Sequence, residues 1–184
     1  SRRYRRANSR IEKVMPLTPA TEADIAEVSR QLGRPARDII AIAARCACGK
    51  PTVVHTKPRL SDGTPFPTTY YLTHKGATAA VSTLEASGLM AELQQRLADE
   101  PQLAAAYQKA HEAYIPDRDR AATEAGLEVP EISGISAGGM PTRVKCLHAL
   151  IGHALAAGPG VNPIGDIALE ACSWSPNRCV CESI

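Results

Sequence analysis

The chain has 184 residues, of which 44% are hydrophobic and 22% are charged. These values are typical of a globular domain and exclude collagen-like, wholly disordered and disulfide-dense proteins. The length allows one domain with tails and excludes a large multi-domain protein. Aromatic residues make up only 4% of the chain, so the predicted core consists mainly of Ala, Leu, Val and Ile.

The basic charge is concentrated at the N-terminus. Net charge is +2, but five arginines lie within the first ten residues, and the rest of the chain is slightly acidic. We therefore predict a solvated basic arm over residues 1–17; the alternative is that this arm contacts nucleic acid or anionic lipid. No nucleic-acid contact is predicted beyond the arm. No apolar run approaches the about 20 residues that span a bilayer, and no signal peptide is visible. These features predict a cytoplasmic protein without a membrane span, whose cysteines are reduced.

The first half of the chain shows one helical pattern and then three β patterns. An amphipathic helix is predicted after Pro19, and Gly33 ends it. Short β segments are predicted at 37–45, 52–56 and 68–73. Because the connections between them are short, we expect an antiparallel meander.

The second half is mostly helical in pattern. From Lys75 the helical spacing continues for about forty residues, with Gly88 and Pro101 as interruptions. Residues 116–139 mix charges with Gly and Pro, which predicts a long mobile loop.

Two further helices are predicted near the C-terminus. Pro141 is expected at the first position of one, which Gly158 closes, and the other ends near Cys172. Strands followed by helices predict an α+β fold, with a small antiparallel three-stranded meander packed against several helices. The predicted domain spans residues 18–172, and a Cys-containing tail follows at 173–184.

The segment around Cys146 is the first candidate for chemistry. On an ideal helix, positions i and i+7 share a face, so Cys146 and His153 would lie together while His148 points away. A nearby imidazole, with Arg143 and Lys145, would lower the thiol pKa, as a nucleophile or a metal ligand requires. Alternatively, Cys146 is a small core residue and the histidines are hydrogen-bonded or partly exposed.

Cysteine pairs are the second candidate. Cys46 and Cys48 precede a Gly-Lys-Pro turn, although zinc sites more often use Cys-x-x-Cys pairs. With Cys146 and a histidine they would complete a Cys₃His set if the two distant segments meet. For Cys179 and Cys181, a frayed terminus is the expectation. The candidate cofactor is zinc, and its candidate ligands are Cys46, Cys146, His148 and His153.

A proline-stiffened loop is the third candidate. Residues 57–68 contain Arg59, Asp62 and the only Phe. Rigid loops of this kind bind small anions or carboxylates through arginine. Alternatively, Asp62 caps the turn and Phe66 fills the core. No phosphate-binding Gly-rich loop, Gly-x-Ser-x-Gly elbow or His-Glu-x-x-His pair is present. The sequence therefore does not indicate a particular reaction.

Two long motifs, residues 58–73 and 139–148, resemble the actinobacterial domain-of-unknown-function family number five hundred and one. Residues 162–166 fit its C-terminal motif, and the resemblance covers about residue 21 to about residue 169. It implies no activity, because none is established for the family. The family's genes commonly lie near those for enolase, a septum-formation initiator and an exopolyphosphatase, which implies an association with cell division or phosphate metabolism.

The chain departs from the family pattern in three places. Ala47 stands where the resemblance implies proline, Cys48 is not a dependable family feature, and the Cys-rich tail lies beyond the resemblance. The residues that match the motifs are Arg59, Asp62, Gly63, Thr64, Pro65, Phe66, Lys145, Cys146, His148, Asn162, Pro163 and Gly165.

Three hypotheses follow. The leading one is a pocket for a small anionic molecule, in which Arg59 and Lys145 supply charge, Cys146 a thiol and His148 a proton or hydrogen bond. The second is a non-enzymatic adaptor for a division-machinery protein, and the third is a Cys/His metal-binding protein. The predicted ligand-binding residues are Arg59, Asp62, Thr64, Lys145, Cys146, His148 and Asn162.

Overall fold

The structure, a computed structural model, describes residues 17–181. The predicted basic arm therefore lies outside the described residues, apart from Leu17. Within residues 17–181, six α-helices accompany one four-stranded antiparallel sheet. The α+β class is confirmed, with four strands where the sequence predicts three.

The sheet is a meander whose strands neighbour one another in chain order. The third strand in this order is buried along its whole length, with Val53 and Val54 at its centre. The additional strand has only two residues, one of them Pro19, and pairs with the outer edge of the next strand; so short a segment has no alternating pattern to predict it. The strands are β1 (Thr18–Pro19), β2 (Ile39–Arg45), β3 (Pro51–Thr56) and β4 (Tyr70–Leu72).

The helices are α1 (Glu22–Leu32), α2 (Lys75–Ala86), α3 (Leu89–Asp99), α4 (Pro101–Glu124), α5 (Leu147–Ala157) and α6 (Pro163–Ala171). The predicted interruptions at Gly88 and Pro101 are confirmed, because each separates two helices. Residues 116–124, predicted to begin a loop, instead continue α4, with Pro116 inside it. The fifth helix starts at Leu147 rather than at Pro141.

The delayed start of α5 has a local cause. The backbone N–H of Arg143 donates to the carbonyl of Gly139, and that of Lys145 to the carbonyl of Gly138. Both glycines have positive φ angles, 68° and 99°, in the region that favours glycine. A turn built on this Gly-Gly pair therefore replaces the first helical turns that Pro141 predicts.

Helix α1 is fixed to the sheet through one carboxylate. Asp24 completes a capping box with Thr21 and also pairs with Arg45, whose two terminal nitrogens lie 2.8 and 2.9 Å from its oxygens. This bidentate pair lowers the pKa of Asp24 to about 2. Because Arg45 directly precedes Cys46, the pair also fixes the end of β2 where the first cysteine lies.

Side chains from the two faces of the sheet enter different apolar clusters. Val53 joins the main core with Leu147, Leu150 and Ile151 of α5. Ile42 and Val54 instead pack with Val28 of α1. Helices therefore cover both faces of the sheet. None of the helices within residues 17–181 is long and apolar enough to cross a membrane.

Candidate metal centre

Four thiols from opposite ends of the domain converge beside the sheet. Cys46 and Cys48 come from the turn after β2, and Cys179 and Cys181 from the C-terminal segment. Their sulfur atoms all lie within 4.8 Å of one another, and all four cysteines are free thiols. Cys46 and Cys181 are buried, whereas Cys48 and Cys179 are exposed. We call this group the four-cysteine cluster.

A tight turn presents the first pair of thiols. The backbone N–H of Cys46 donates to the carbonyl of Lys50 at 2.8 Å, and that of Gly49 donates to the carbonyl of Cys46 at 2.8 Å. Gly49 has a φ of 93°, which glycine adopts without strain. The glycine that the sequence places after Cys48 therefore permits the chain to reverse from β2 into β3.

The C-terminal segment, residues 173–181, is packed against this turn. The backbone N–H of Ala47 donates to the carbonyl of Pro176 at 3.1 Å. Trp174 is only 5% exposed and lies in the main core. The expectation of a frayed terminus is wrong for Cys181, which is 3% exposed and lies 3.1 Å from Nε2 of His74; Cys179 is exposed.

His74 contacts the cluster from the N-terminal end of α2. Its Nδ1 accepts a hydrogen bond from the backbone N–H of Ala77, so in the neutral ring Nε2 carries the proton. That Nε2 lies 3.1 Å from the sulfur of Cys181. Burial lowers the pKa of His74, which favours the neutral ring. An N–H donor aimed at sulfur is the support that metal-bound thiolates receive in proteins.

The sulfur spacing suits a tetrahedral metal ion. The sulfur atoms of Cys46 and Cys181 are 3.6 Å apart, well beyond the roughly 2.05 Å of a disulfide bond. Four sulfurs at about 2.3 Å from a tetrahedral zinc ion lie about 3.8 Å from one another. The observed separation is close to that value.

The electrostatics of the four thiols differ. Burial raises the pKa of Cys46 and of Cys181, because a thiolate is poorly solvated there. The backbone N–H of Lys50 lowers the pKa of Cys48 to about 7. Buried thiolates need a compensating charge, and a divalent cation supplies it while releasing the thiol protons.

Sequence reasoning missed half of this cluster. It paired Cys46 and Cys48 with Cys146 instead of with Cys179 and Cys181, because no local pattern shows which distant segments meet. One signal was available: both pairs that do meet have the same Cys-x-Cys spacing.

A second, smaller group of metal-ligating side chains lies between α2 and the start of α5. Glu85, Cys146 and His148 each bring one ligand atom within 4.8 Å of the others, and all three are half-buried. The Nδ1 of His148 lies 2.9 Å from Oε1 of Glu85. The thiol of Cys146 and the Glu85 carboxylate both raise the pKa of His148, and the imidazole lowers the pKa of Cys146.

His148, rather than His153, is the histidine that meets Cys146. The helical-face argument fails because Cys146 precedes α5 and has an extended backbone, with φ −148° and ψ 106°. His153 is fully buried, stacked 5.8 Å from the ring of Tyr70 and edge-on to Tyr114. Burial lowers the pKa of His153 to about 4. The four predicted metal ligands therefore do not meet: Cys46 lies in the four-cysteine cluster, Cys146 and His148 lie beside Glu85, and His153 lies in the core.

The predicted ligand-binding residues of the loop make contacts within the fold. Arg59 pairs with Glu131 at 2.7 Å and also donates to the carbonyls of Gly63 and Glu128. Asp62 accepts a hydrogen bond from the backbone N–H of Thr64, so it caps the turn. Asp62 also lines a cavity of about 270 Å³ whose lining does not include Lys145, and Lys145 is exposed.

Asn162 has a structural position. It is fully buried and caps α6, where its side-chain oxygen accepts a hydrogen bond from the backbone N–H of Gly165 at 2.9 Å. Its side-chain nitrogen lies 3.1 Å from Nδ1 of His153. These contacts explain the Asn-Pro-Ile-Gly-Asp motif as a helix start.

A cavity of about 780 Å³ adjoins the four-cysteine cluster. One wall comes from β2 and another from α5 and α6, and the C-terminal segment supplies a third. Cys46, Trp174 and Pro176 are among its lining residues. The position of the C-terminal segment therefore determines the shape of this cavity.

The fold and the cluster together define an α+β protein with a candidate four-cysteine metal centre. The chain belongs to the family described as Protein of unknown function (DUF501), whose model matches residues 42–170, about seven tenths of the chain. This confirms the family resemblance. The match includes Cys46 and Cys48 and ends before Cys179 and Cys181. No curated protein and no solved structure matches the chain.

Proposed function

We propose that this protein binds one zinc ion through Cys46, Cys48, Cys179 and Cys181, and that the ion has a structural role. The observation that carries the proposal is the convergence of four free thiols within 4.8 Å of one another. Four sulfur ligands are typical of closed, structural zinc sites.

Zinc is the ion that this ligand set favours. Thiolate sulfur excludes calcium and magnesium, which prefer oxygen ligands. Iron also binds four thiolates, so the metal must be identified directly. The N–H of His74 that points at Cys181 would orient and stabilise that thiolate.

The ion would join two segments that are far apart in the chain. Between Cys48 and Cys179 lie β3, β4 and all the helices from α2 to α6. The contacts that hold the C-terminal segment include the bond from Ala47 to Pro176, the burial of Trp174 and the contact of Cys181 with His74. Zinc would add two bonds to this segment, through Cys179 and Cys181, and two to the turn after β2, through Cys46 and Cys48. It would thereby fix one wall of the 780 Å³ cavity.

Zinc content tests the proposal. We expect untagged wild-type protein to contain one more zinc ion per chain than the double variant Cys48→Ser/Cys179→Ser, measured by elemental analysis after dialysis. Both substituted cysteines are exposed, so the variant should fold. Cys172→Ser is the matched control and should retain the wild-type content. Equal zinc in the wild type and the double variant, or another metal in its place, would contradict the proposal.

The other two hypotheses stay predictions. An anionic ligand at Arg59 would have to compete with Glu131, which already pairs with that guanidinium. Binding to a division-machinery protein rests on the gene neighbourhood that the family resemblance implies and on the long helical pattern from Lys75 to Tyr114.

A further inference from the structure

The group formed by Glu85, Cys146 and His148 is separate from the four-cysteine cluster and shares no residue with it. Its members come from two elements: Glu85 lies in the last turn of α2, and Cys146 and His148 lie at the start of α5. Sulfur, nitrogen and oxygen donors therefore meet at one point, within 4.8 Å of one another.

Backbone groups hold the outer atoms of two of these side chains. Nε2 of His148 lies 3.3 Å from the carbonyl oxygen of Thr78, and Oε2 of Glu85 accepts a hydrogen bond from the backbone N–H of Leu147 at 2.9 Å. The inner atoms, Nδ1 of His148 and Oε1 of Glu85, face each other at 2.9 Å. Metal-binding histidines and carboxylates are typically oriented in this way by partners on their far side.

The hydrogen bond to Thr78 also decides which nitrogen can bind a metal. A carbonyl oxygen only accepts, so Nε2 carries a proton, and in the neutral ring the lone pair is on Nδ1. That lone pair points toward Glu85. In the protonated ring Nδ1 also carries a proton, which faces Oε1 of Glu85. A metal ion at the centre of the group would take the place of that proton and of the thiol proton of Cys146, and both protons would leave to solvent.

Solvent reaches this group. The side chains of His148 and Glu85 are 29% and 24% exposed, and Cys146 is half-buried. Three protein ligands leave one position of a tetrahedral ion for water, which is the arrangement of zinc sites that perform chemistry. The four-cysteine cluster, in contrast, supplies a complete set of ligands from the protein.

We propose that Glu85, Cys146 and His148 form a second zinc site, with three protein ligands and a water molecule as the fourth. Zinc accepts mixed sulfur, nitrogen and oxygen donors in tetrahedral geometry. The alternative is that Glu85 only caps the start of α5 and pairs with His148. Both arrangements include the hydrogen bond from the backbone N–H of Leu147 to Glu85, so this bond does not distinguish them. A measurement of metal binding does.

Equilibrium dialysis against zinc provides the test. We expect the wild type to bind two zinc ions per chain, and Glu85→Gln and Cys146→Ser to bind one each. Glu85→Gln keeps an oxygen that can accept from Leu147, so it separates ligation from helix capping. The control Cys172→Ser should bind two ions. Circular dichroism on each sample confirms that the variants are folded.

The two zinc proposals fail independently in this experiment. The variant Cys48→Ser/Cys179→Ser should still bind one ion, and adding Cys146→Ser should remove it. If the wild type binds one ion and neither Glu85→Gln nor Cys146→Ser lowers that number, the second site is refuted while the four-cysteine site stands. If the double variant and the wild type bind the same number, the four-cysteine site is refuted instead.

Discussion

Removal of zinc with a strong chelator is expected to lower the stability of the protein and to release its C-terminal segment. An ion present at about a thousand times its dissociation constant stabilises the folded state by about 4 kcal/mol, and that contribution disappears with the ion. The cysteines that the ion joins come from two segments that are far apart in the chain, so the loss of the ion should loosen the contact between these segments. Denaturant unfolding with and without chelator measures the difference.

Trp174 provides a local readout of the same event. It is the only tryptophan in the chain, it is 5% exposed, and its ring lies 5.3 Å from that of His74, which contacts Cys181. We expect its fluorescence to shift toward longer wavelength when zinc is removed and to return when zinc is restored. Cys181→Ser should show the shifted emission, and Cys172→Ser should not. Unchanged fluorescence and stability after complete zinc removal would refute a structural role for the ion.

Gly165→Ala is expected to cause a large loss of stability. A Cβ atom at this position would lie 2.3 Å from the carbonyl oxygen of Leu150 and 2.9 Å from Cβ of Ala154. Both atoms belong to α5, so α6 must move away from α5 to admit the methyl group. Overpacking of this kind costs about 3 kcal/mol or more, which denaturant unfolding measures.

Gly33→Ala is the matched control for this prediction. Gly33 ends α1 with a φ of 70°, and a Cβ atom there would meet nothing within 4 Å. Its substitution should therefore cost only the backbone strain, about 1 kcal/mol. If the two variants lost equal stability, the close contact of α5 with α6 would not be the source of the effect.

The sequence predicted those parts of the fold that depend on neighbouring residues. Gly33 ends α1, and Gly88 and Pro101 separate helices, because each acts on the backbone within a few residues of itself. The start of α5 was mispredicted because Pro141 suits a helix N-terminus but also suits the turn that Gly138 and Gly139 form.

The candidate sites were only partly predictable, because long-range packing brings their members together. Cys46 and Cys48 were recognised, yet their partners lie at the far end of the chain. Glu85 was not recognised at all: on α2 it is one of many charged helix residues, and only the fold places it beside Cys146 and His148. His153, in contrast, was predicted as a metal ligand but is fully buried and forms part of the core.

The family match includes only two of the four ligands proposed for the four-cysteine site, Cys46 and Cys48. The family model matches residues 42–170 and so includes Glu85, Cys146 and His148, but not Cys179 or Cys181. The four-cysteine site is therefore proposed for this chain and not for the family as a whole. The second site lies entirely within the matched residues.

X-ray absorption at the zinc edge tests the four-cysteine site most directly. The measurement uses the Cys146→Ser protein loaded with one zinc ion per chain, so that the second proposed site does not contribute. The account predicts a first shell of four sulfur atoms at about 2.3 Å. A first shell dominated by nitrogen or oxygen atoms at about 2.0 to 2.1 Å would contradict it.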